Sequence, residues 1–403
     1  MVSGVGPGAD ALFTFLTSEF TQLHSVGGAV DGESGNGLGP GYNANSCAAC
    51  HSSPAIGGSS GTVNPQVAQA TLDGAQNTVP SFITRNGPVR VARFVRNPDG
   101  SPDGGVHNLF TIKGRVDAPG CTTIAQPDFE SNLAAGNVIF RIPTPTFGAG
   151  LIENISEATI LANKSANQPQ KVSAGIAGHE NRNGNDGTIT RFGWKAQNKS
   201  LTMFSGEAYN VEMGVTNDLF QTERNMTPDC NFNTQPEDHV MYGSDMPNGG
   251  GTSGMQHFAT FSRLLAPPVP APPTASTTRG SGYFVDIGCS LCHTPSLQTD
   301  KSDISGLSQQ AANLFSDLLV HNMGSGLADC VTQGLAGGNE FRTAPLWGVG
   351  QRTFFLHDGR TSDLVQAILD HASPGSEANK VILYFQSLNA AQQQDLLNFL
   401  RSL

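Results

Sequence analysis

Two short stretches of the chain combine two cysteines and a histidine with the same spacing. The first contains Cys47, Cys50 and His51, and the second contains Cys289, Cys292 and His293. Both have the form C-x-x-C-H, in which two thiols at the start of a helix reach the two vinyl groups of one porphyrin and the adjacent imidazole points at the iron. The spacing predicts two covalently attached c-type haems, with His51 and His293 as proximal iron ligands.

Two other interpretations of these cysteine pairs are weaker. A zinc site made of Cys47, Cys50, Cys289 and Cys292 would not require the histidine that follows each pair. A thioredoxin-like redox pair follows a strand in a βαβ unit, and neither motif has that setting. We therefore favour haem attachment over a zinc site or a redox dithiol.

The composition indicates a loop-rich globular chain. The formal charge is -11, and 22 Lys and Arg against 33 Asp and Glu do not supply the basic face that nucleic-acid phosphates require. With 403 residues, including 48 Gly and 24 Pro, the chain is long enough for two cores. No apolar run approaches the roughly 20 residues of a membrane-spanning helix. We expect neither a nucleic-acid partner nor a membrane span.

A proline-rich stretch separates a longer part of the chain from a shorter one. Residues 266–273 read APPVPAPP and are followed by Ser, Thr and Gly up to Gly282, a composition typical of a stiff linker. We predict an N-terminal haem domain with large loop insertions over residues 1–265, a linker over 266–282 and a C-terminal haem domain over 283–403.

Both parts contain the same features in the same order, which indicates an internal repeat that arose by duplication. Each has a C-x-x-C-H motif, a Phe-Arg pair before a Pro-x-aromatic-Gly-x-Gly element, and a closing amphipathic helix. The Phe-Arg pairs are residues 140–141 and 341–342, the central elements are 145–150 and 345–350, and the closing helices contain 261–265 and 399–403.

Apolar periodicity predicts the elements that carry these residues. In the C-terminal part, helical patterns cover residues 308–319, 364–371, 381–388 and 391–403. In the N-terminal part, short strands are expected over 89–95 and 109–116 within Gly-, Asn- and Thr-rich insertions. The fold class we expect is mainly α with long loops and a few short strands, arranged as two cytochrome c-like lobes that each hold one covalent haem.

The remaining cysteines and the start of the chain bear on the cellular compartment. Cys121, Cys230 and Cys330 lie outside both motifs, and three thiols allow at most one disulfide within the chain. Residues 1–11 show neither the basic n-region nor the apolar h-region of a signal peptide. Because covalent haem attachment takes place outside the cytoplasm, we expect a periplasmic or secreted protein whose leader has been removed or replaced.

Together these motifs resemble those of the bacterial di-haem c-type oxidoreductases, grouped as peroxidases or thiol oxidoreductases and related to the di-haem cytochrome c peroxidases and to the enzyme that matures methylamine dehydrogenase. The resemblance covers most of the chain and is most specific at residues 341–348 (FRTAPLWG) and 355–360 (FLHDGR). Further matches lie at 141–153, 191–196 and 323–324. A thiol oxidoreductase has no support from the residues, since no spare C-x-x-C pair remains.

The resemblance implies that one haem passes electrons while the other, with an open or openable sixth position, meets peroxide. It places the electron-transfer haem in the C-terminal part, where His371 stands at the position of a Met or Tyr ligand in the relatives. A bis-His iron formed by His293 and His371 would have a low potential. Met323 is the rival ligand, but the offset of His371 from His357 fits the family. If Met323 is not a ligand, it is a core residue. If His371 is not a ligand, it lies on the surface of a helix.

For the N-terminal haem, the resemblance implies an open, five-coordinate iron on His51. Peroxidases that need reductive activation carry a displaceable His soon after the first motif, whereas here the next histidine is His107. His107 or His179 could still supply that ligand, so the activation switch is left open.

The resemblance also assigns residues around the peroxide. Glu153 stands where the family has a distal acid that moves a proton between the peroxide oxygens, and Phe147 would line the distal pocket. Arg141 would bind a propionate or the peroxide, and Trp194 would relay an electron hole between the haems. The alternative for Glu153 is that it satisfies backbone N–H groups at a helix start. Arg141 would otherwise form a surface ion pair, and Trp194 would be a core residue.

Arg360 is a second candidate for a propionate, again against a surface ion pair. Calcium occurs between the lobes of the related peroxidases, but no loop pattern identifies a site here. The leading hypothesis is a di-haem oxidoreductase that activates peroxide at the His51 haem and draws electrons through the His293 haem from a small redox protein or another donor. The alternatives are a pure electron-transfer di-haem cytochrome and a di-haem oxygenase that activates dioxygen.

Overall fold

The chain forms two units, each assembled from segments that are not consecutive. The computed structural model describes residues 1–240 and 251–403. Unit 1 comprises Met1–Pro7, Thr146–Ser200 and Arg263–Leu403, and unit 2 comprises Gly8–Pro145 and Leu201–Ser262. Residues 146–200 therefore share contacts with the C-terminal part of the chain. The haem-domain boundaries at residues 265 and 283 stay a prediction.

Helices are the main regular elements, as predicted. In chain order they are α1 (Ala9–Thr21), α2 (Cys47–Cys50), α3 (Gln66–Gln69), α4 (Phe129–Ala134), α5 (Ala149–Glu153), α6 (Glu157–Ser165), α7 (Gln168–Ala174), α8 (Leu201–Met213), α9 (Gly254–Leu264), α10 (Ala275–Asp286), α11 (Gly324–Leu327), α12 (Leu364–Leu369), α13 (Asn379–Ser387) and α14 (Ala390–Ser402). No helix within the described ranges is both long and apolar enough to cross a bilayer.

The strands are short and pair antiparallel. They are β1 (Gly41–Tyr42), β2 (Val91–Phe94), β3 (Val106–His107), β4 (Phe110–Thr111), β5 (Val138–Arg141), β6 (Leu297–Gln298), β7 (Ala311–Ala312), β8 (Val320–Asn322) and β9 (Glu340–Arg342). Unit 2 contains a three-stranded sheet in the order β3-β2-β5 and the pair β1-β4, whereas unit 1 contains the pairs β6-β7 and β8-β9. The strands expected over residues 89–95 and 109–116 are thus present in shortened form.

The helix predicted over residues 308–319 is wrong. The segment is irregular except for β7, and Phe315 and Leu318 have positive φ angles of 51° and 61°. The side chains of Ser316 and Asp317 accept hydrogen bonds from the backbone N–H groups of Leu318 and Leu319 at 3.0 Å. Such local bonds compete with helix formation. The apolar residues are nevertheless buried, which is why their spacing suggested a helix.

Helix α10 begins inside the segment assigned to the linker. Thr274 and Thr277 form a reciprocal capping box at its start, which satisfies backbone N–H groups that have no partner within the helix. Helix α10 packs against α14, which starts with a second capping box made by Asn389 and Gln392. Together with α13, these helices bury the apolar core of unit 1.

The internal repeat is confirmed at atomic level within unit 1. Gly148 and Gly348 both have positive φ, of 65° and 70°. The N–H group of Gly148 donates to the carbonyl of Leu265 at 3.0 Å, and that of Gly348 donates to the carbonyl of Leu403 at 2.6 Å. Each Pro-x-aromatic-Gly-x-Gly element is therefore held by the same backbone contact to the end of its closing helix.

The glycine two residues further on repeats this pattern. A Cβ atom added at Gly150 would lie 2.1 Å from the carbonyl oxygen of Arg263, and one added at Gly350 would lie 2.2 Å from that of Arg401. Only glycine permits so close an approach between the turn and the helix.

Candidate haem-binding sites

The second C-x-x-C-H motif lies in the wall of a large cavity in unit 1. Cys289, Cys292 and His293 all line this cavity, which encloses about 1440 Å³ of space, including the part open to solvent. Gly288, with φ of 96°, turns the chain from α10 into a short 3₁₀ turn over Cys289–Leu291. The turn brings both thiols and the imidazole to one wall.

The other walls of the cavity are mainly apolar. They come from α10, α12, α13, α14 and the element at residues 345–350, and include Phe284, Leu346, Ala367, Val381, Phe385 and Leu400. An apolar enclosure with a few directed polar groups is typical of a cofactor site. The lining of the cavity fits a porphyrin attached to the motif.

His293 and His371 both line this cavity, and in both rings Nε2 is the nitrogen left free to bind a ligand. Nδ1 of His293 contacts the carbonyl oxygen of Phe315 at 3.0 Å, and Nδ1 of His371 contacts that of Ala367 at 2.7 Å. Because a carbonyl only accepts, each Nδ1 must carry the hydrogen, which leaves Nε2 with a lone pair. A backbone carbonyl on the far nitrogen is the usual support of a metal-binding imidazole.

Burial keeps both rings neutral. It lowers the pKa of His293 to about 4, with a further contribution from the charge of His371. Burial also lowers the pKa of His371. A neutral imidazole is the form that binds a metal.

Met323, the rival iron ligand, also lines the cavity. Its N–H group donates to the carbonyl of Asn339 at 2.8 Å, and it precedes α11. The structure therefore places both candidate ligands at the same cavity. The oriented ring of His371 is the feature that favours it over Met323.

The first motif forms α2 in unit 2, where Cys50 is buried against Ala44 and Val89. Nδ1 of His51 contacts the carbonyl oxygen of Gly58 at 2.9 Å, which again leaves Nε2 with a lone pair. Burial lowers the pKa of His51. The arrangement of His51 thus repeats that of His293.

The thiols of the motifs differ from those of redox dithiols. Burial raises the pKa of Cys47 to about 12 and that of Cys289 to about 12. It also raises the pKa of Cys50. A nucleophilic or redox-active thiol requires the opposite shift, so these environments do not favour the redox-dithiol interpretation.

The candidates for peroxide chemistry are divided between the units. Glu153 ends α5 in unit 1 and forms an ion pair with Arg263, whose Nε lies 2.6 Å from its Oε2. Phe147, also in unit 1, is half-buried. Arg141 is buried in unit 2 at the end of β5, in register with Val91. The role of Glu153 as distal acid stays a prediction.

The alternative ligands for the first haem are both bound to carboxylates. In unit 2, Nε2 of His107 lies 2.8 Å from Asp103. In unit 1, Nε2 of His179 lies 3.0 Å from Glu340. Either ring would have to leave its carboxylate to reach an iron.

Trp194 lies in the wall of the unit 1 cavity, as does His357. Their rings meet edge to face with centroids 6.4 Å apart, and His357 stacks on Phe341 at 4.2 Å. Nζ of Lys195 lies over the other side of Phe341, 4.1 Å from its centroid. Trp194 therefore belongs to an aromatic group beside the second motif.

Arg360 is engaged away from this cavity. Its Nε donates to Asp358 at 2.7 Å and its Nη1 donates to the carbonyl of Gly326 at 2.7 Å. The ion pair matches the alternative to propionate binding, and the role of Arg360 at a propionate stays a prediction. Arg342 and Arg352 line the cavity instead, and no motif in the sequence points to Arg352.

His321 is a further residue that sequence reasoning did not assign. It lines the cavity, and its ring is held between Asp317 at 2.9 Å and Glu377 at 2.7 Å. Burial opposes a charge on this ring, but Cys292 and Asp317 outweigh it and raise the pKa of His321. The spacing of Asp317 and His321, four residues apart, was the available signal.

Glu377 connects this histidine to the chain that follows His371. Its carboxylate also accepts the N–H groups of Ala177, Gly178 and Asn322 at 2.9–3.2 Å. The ion pair thereby fastens the start of α13 to β8. Since Nδ1 of His321 also lies 3.7 Å from Sγ of Cys292, the network borders the attachment motif as well.

Comparisons with known proteins give a family and several distant structural neighbours. A family model described as "Di-haem oxidoreductase, putative peroxidase" matches residues 93–403. Among solved structures, hydrazine synthase of Kuenenia stuttgartiensis, pressurised with xenon, shares 17% identity over 51% of this chain and 62% of that chain, with a TM-score of 0.28.

Two other solved structures are similarly distant. A MauG-like protein associated with microbial copper homeostasis shares 18% identity over 37% of this chain and 52% of that one, with a TM-score of 0.26. The diheme peroxidase BthA of Burkholderia thailandensis shares 15% identity over 53% of this chain and 65% of that one, with a TM-score of 0.32. The chain thus spans less than two thirds of each of these proteins. No curated protein matches the chain.

Proposed function

Because the chain belongs to the di-haem oxidoreductase family, we propose that it is a c-type di-haem enzyme of the peroxidase kind. In this proposal Cys47, Cys50 and His51 hold a haem that meets peroxide, and Cys289, Cys292 and His293 hold a haem that passes electrons. The observation that carries it is the apolar cavity of unit 1, where two cysteines and two histidines with free Nε2 atoms line one space.

The residues of this cavity fit a haem. Cys289 and Cys292 provide two thiols for thioether bonds, and His293 and His371 provide neutral imidazoles whose outer nitrogens are already oriented by backbone carbonyls. We therefore infer that His371, rather than Met323, is the second ligand. Two imidazole ligands favour the oxidised iron compared with a His/Met pair, which would make this a haem of low potential.

The first motif fits the same cofactor with less support from its surroundings. His51 is oriented by Gly58 as His293 is by Phe315. His107 and His179 are both engaged by carboxylates, which supports a vacant sixth position at the iron of His51. A haem iron with a vacant position supplies the binding and cleavage of peroxide.

Residues of this chain would manage the proton in that reaction. Glu153 is proposed to take a proton from one peroxide oxygen and return it to the other. The guanidinium of Arg263 holds its carboxylate in place. Phe147 would exclude water from the peroxide, and Arg141 would bind a propionate or the peroxide.

Electron transfer is assigned to the second motif. Trp194 lies in the wall of its cavity and is proposed to carry an oxidising equivalent to or from the second haem. The donor would be a small redox protein, and the location periplasmic or secreted, because covalent haem attachment takes place there. Calcium stays a prediction without a site. Within the described ranges, the one group of three His, Cys, Asp or Glu residues close enough to bind an ion is Cys292, Asp317 and His321.

The decisive experiment counts and classifies the haems in protein exported and matured by its host. Intact mass should exceed the polypeptide by two haems, and the Cys289→Ala/Cys292→Ala variant should lose one of them. A Cys330→Ala variant is the matched control, because Cys330 is an exposed thiol outside both motifs. One haem should give a high-spin ferric signal, and hydrogen peroxide should be consumed with a reduced donor.

Three results would reject the proposal. A mass equal to the polypeptide alone would remove covalent haem. Two low-spin haems without peroxide turnover would indicate a pure electron carrier. A high-spin haem that consumes dioxygen but not peroxide would indicate an oxygenase.

A further inference from the structure

We propose that Arg342 and Arg352 form an anion-binding subsite in the unit 1 cavity and that it binds the two carboxylates of the haem attached there. The inference rests on the proposed function, since it needs a haem in this cavity. It assigns to these two arginines the role that the sequence suggested for Arg360.

Both guanidinium groups face the cavity from adjacent turns of the chain. Arg342 ends β9 and is 8% exposed, and Arg352 is half-buried after the 3₁₀ turn Val349–Gln351. Both line the same space as His293. They flank the element at residues 345–350, which the repeat anchors to the end of α14.

Neither arginine has a carboxylate partner among residues 1–240 and 251–403. Nη1 of Arg342 donates to the carbonyl of Arg191 at 3.0 Å, and Nη2 of Arg352 donates to the carbonyl of Pro345 at 2.9 Å. Nε of Arg342 is buried and has no hydrogen-bond partner in those ranges. This buried N–H group of Arg342 therefore remains to be satisfied.

Two cations that are buried at least as deeply are neutralised by carboxylates, whereas Lys171 and Arg191 donate to backbone carbonyls. Arg115 contacts Glu33 at 2.8 Å, and Lys195 contacts Asp329 at 3.0 Å. A buried charge is costly unless it is paired. Unlike Lys171 and Arg191, Arg342 and Arg352 line the cavity, so a negative group placed there would pair with them.

The two guanidinium groups also repel one another. Burial lowers the pKa of Arg342 to about 10, with a further contribution from the charge of Arg352, and burial lowers that of Arg352 to about 10. Both remain protonated at neutral pH, so the cavity wall carries two positive charges. A haem has two propionates, and a carboxylate matches the forked donors of an arginine. The charges and the donors are therefore complementary.

The test is the midpoint potential of the second haem in the exported holoprotein. A nearby positive charge stabilises the reduced haem, so Arg352→Gln and Arg342→Gln should each lower the reduced-to-oxidised ratio at a given potential about tenfold, which is 59 mV for a one-electron couple. Arg352→Lys and Arg342→Lys keep the charge and should restore most of that ratio. Arg279→Gln is the control, because Arg279 is 56% exposed and pairs with Asp395.

Haem content separates the possible results. If the Gln variants keep two haems and the potential of the second is unchanged, the subsite is rejected while the proposed function stands. If the unmodified protein lacks covalent haem, the proposed function fails first. Should a Gln variant fail to fold, the Lys variant and the other arginine still decide the matter, because each is measured against the same control.

The same charges could bind a free anion instead of the haem carboxylates, and a phosphate titration distinguishes the two. If haem carboxylates fill the subsite, the potential of the unmodified protein does not respond to added phosphate. A phosphate-dependent potential in the unmodified protein that disappears in Arg352→Gln would overturn the assignment to haem.

Discussion

At the scale of single residues, three histidines share one arrangement. His51, His293 and His371 each donate Nδ1–H to a backbone carbonyl 2.7–3.0 Å away. Backbone carbonyls have little freedom, so they orient each ring before any metal binds. His24 makes the same contact with Asn36 at 2.9 Å, so the arrangement supports an iron-binding role for His371 because His371 also lines the cavity of His293.

Replacing His371 tests that distinction. If His371 binds the second iron, His371→Ala removes a strong-field ligand and converts that haem from low spin to high spin. Met323→Leu, which alters a side chain in the same cavity, should leave the low-spin signal intact. Electron paramagnetic resonance and visible spectra of the ferric protein measure both. A low-spin signal that survives in His371→Ala and disappears in Met323→Leu would assign the ligand to Met323.

Glu153 is proposed to transfer the proton, and its replacement by Gln tests that role. Glu153→Gln keeps the size of the side chain but cannot take up the proton, so kcat/KM for peroxide should fall by about 10²–10⁴-fold. Glu157→Gln is the neighbouring control, because Glu157 is half-buried like Glu153 but accepts the N–H group of Ile189. Equal activities of the two variants, with unchanged haem spectra, would remove Glu153 from the reaction.

At the scale of elements, helices α10 and α14 of unit 1 approach each other closely at Gly280. A Cβ atom at Gly280 would lie 2.0 Å from the carbonyl oxygen of Asp395 and 2.8 Å from Cβ of Phe399. Phe284 on α10 and Leu396 and Leu400 on α14 then line the cavity. This glycine therefore determines how closely the walls of the cavity pack.

Two glycines of α10 give a matched pair of variants. Gly280→Ala should lower the free energy of unfolding by about 1–3 kcal/mol, because the helices must move apart. At Gly282 nothing lies within 4 Å of an added Cβ atom. Gly282→Ala should instead raise the free energy of unfolding by about 0.5–1 kcal/mol, because alanine has a higher helix propensity than glycine. Urea unfolding of the holoprotein measures the free energy of unfolding of both variants. If Gly280→Ala is as stable as Gly282→Ala, the helices accommodate the added methyl group without loss of stability.

The elements also show where sequence reasoning succeeds and where it does not. The periodic segments at residues 364–371, 381–388 and 391–403 form α12, α13 and α14, because their apolar faces determine the structure locally. The segment 308–319 has similar spacing, yet side-chain hydrogen bonds from Ser316 and Asp317 hold it in an irregular path. Pattern alone does not reveal that competition.

The residues of the candidate site also fall into those that the sequence identifies and those that it does not. Covalent attachment chemistry makes the C-x-x-C-H motifs visible in the sequence, and the offset of His371 identifies that residue. Arg352 carries no such signal and His321 only its four-residue spacing from Asp317, because their importance lies in partners brought together by the fold. Arg360 looked suitable from its motif, but Asp358 occupies its guanidinium. Charge balance within a cavity is a property of the folded chain.

At the scale of the whole molecule, the chemical state of every cysteine is predicted together. The chain has seven cysteines. Cys121 and Cys230 form a disulfide within unit 2 that joins residues 109 apart in sequence, whereas Cys330 is an exposed free thiol. Disulfides persist in oxidising compartments, so this bond agrees with the periplasmic or secreted location proposed from haem attachment.

A thiol count on denatured protein tests this assignment as a whole. If four cysteines are thioethers and two form the disulfide, alkylation without reductant should label one thiol per chain, at Cys330. After reduction the count should rise to three, because a reductant opens the disulfide but not a thioether. In the Cys330→Ser variant, no thiol should be labelled without reductant and two should be labelled after reduction. Four additional thiols without reductant would show that neither haem is covalently attached, and three labelled thiols before reduction would show that Cys121 and Cys230 are not bonded.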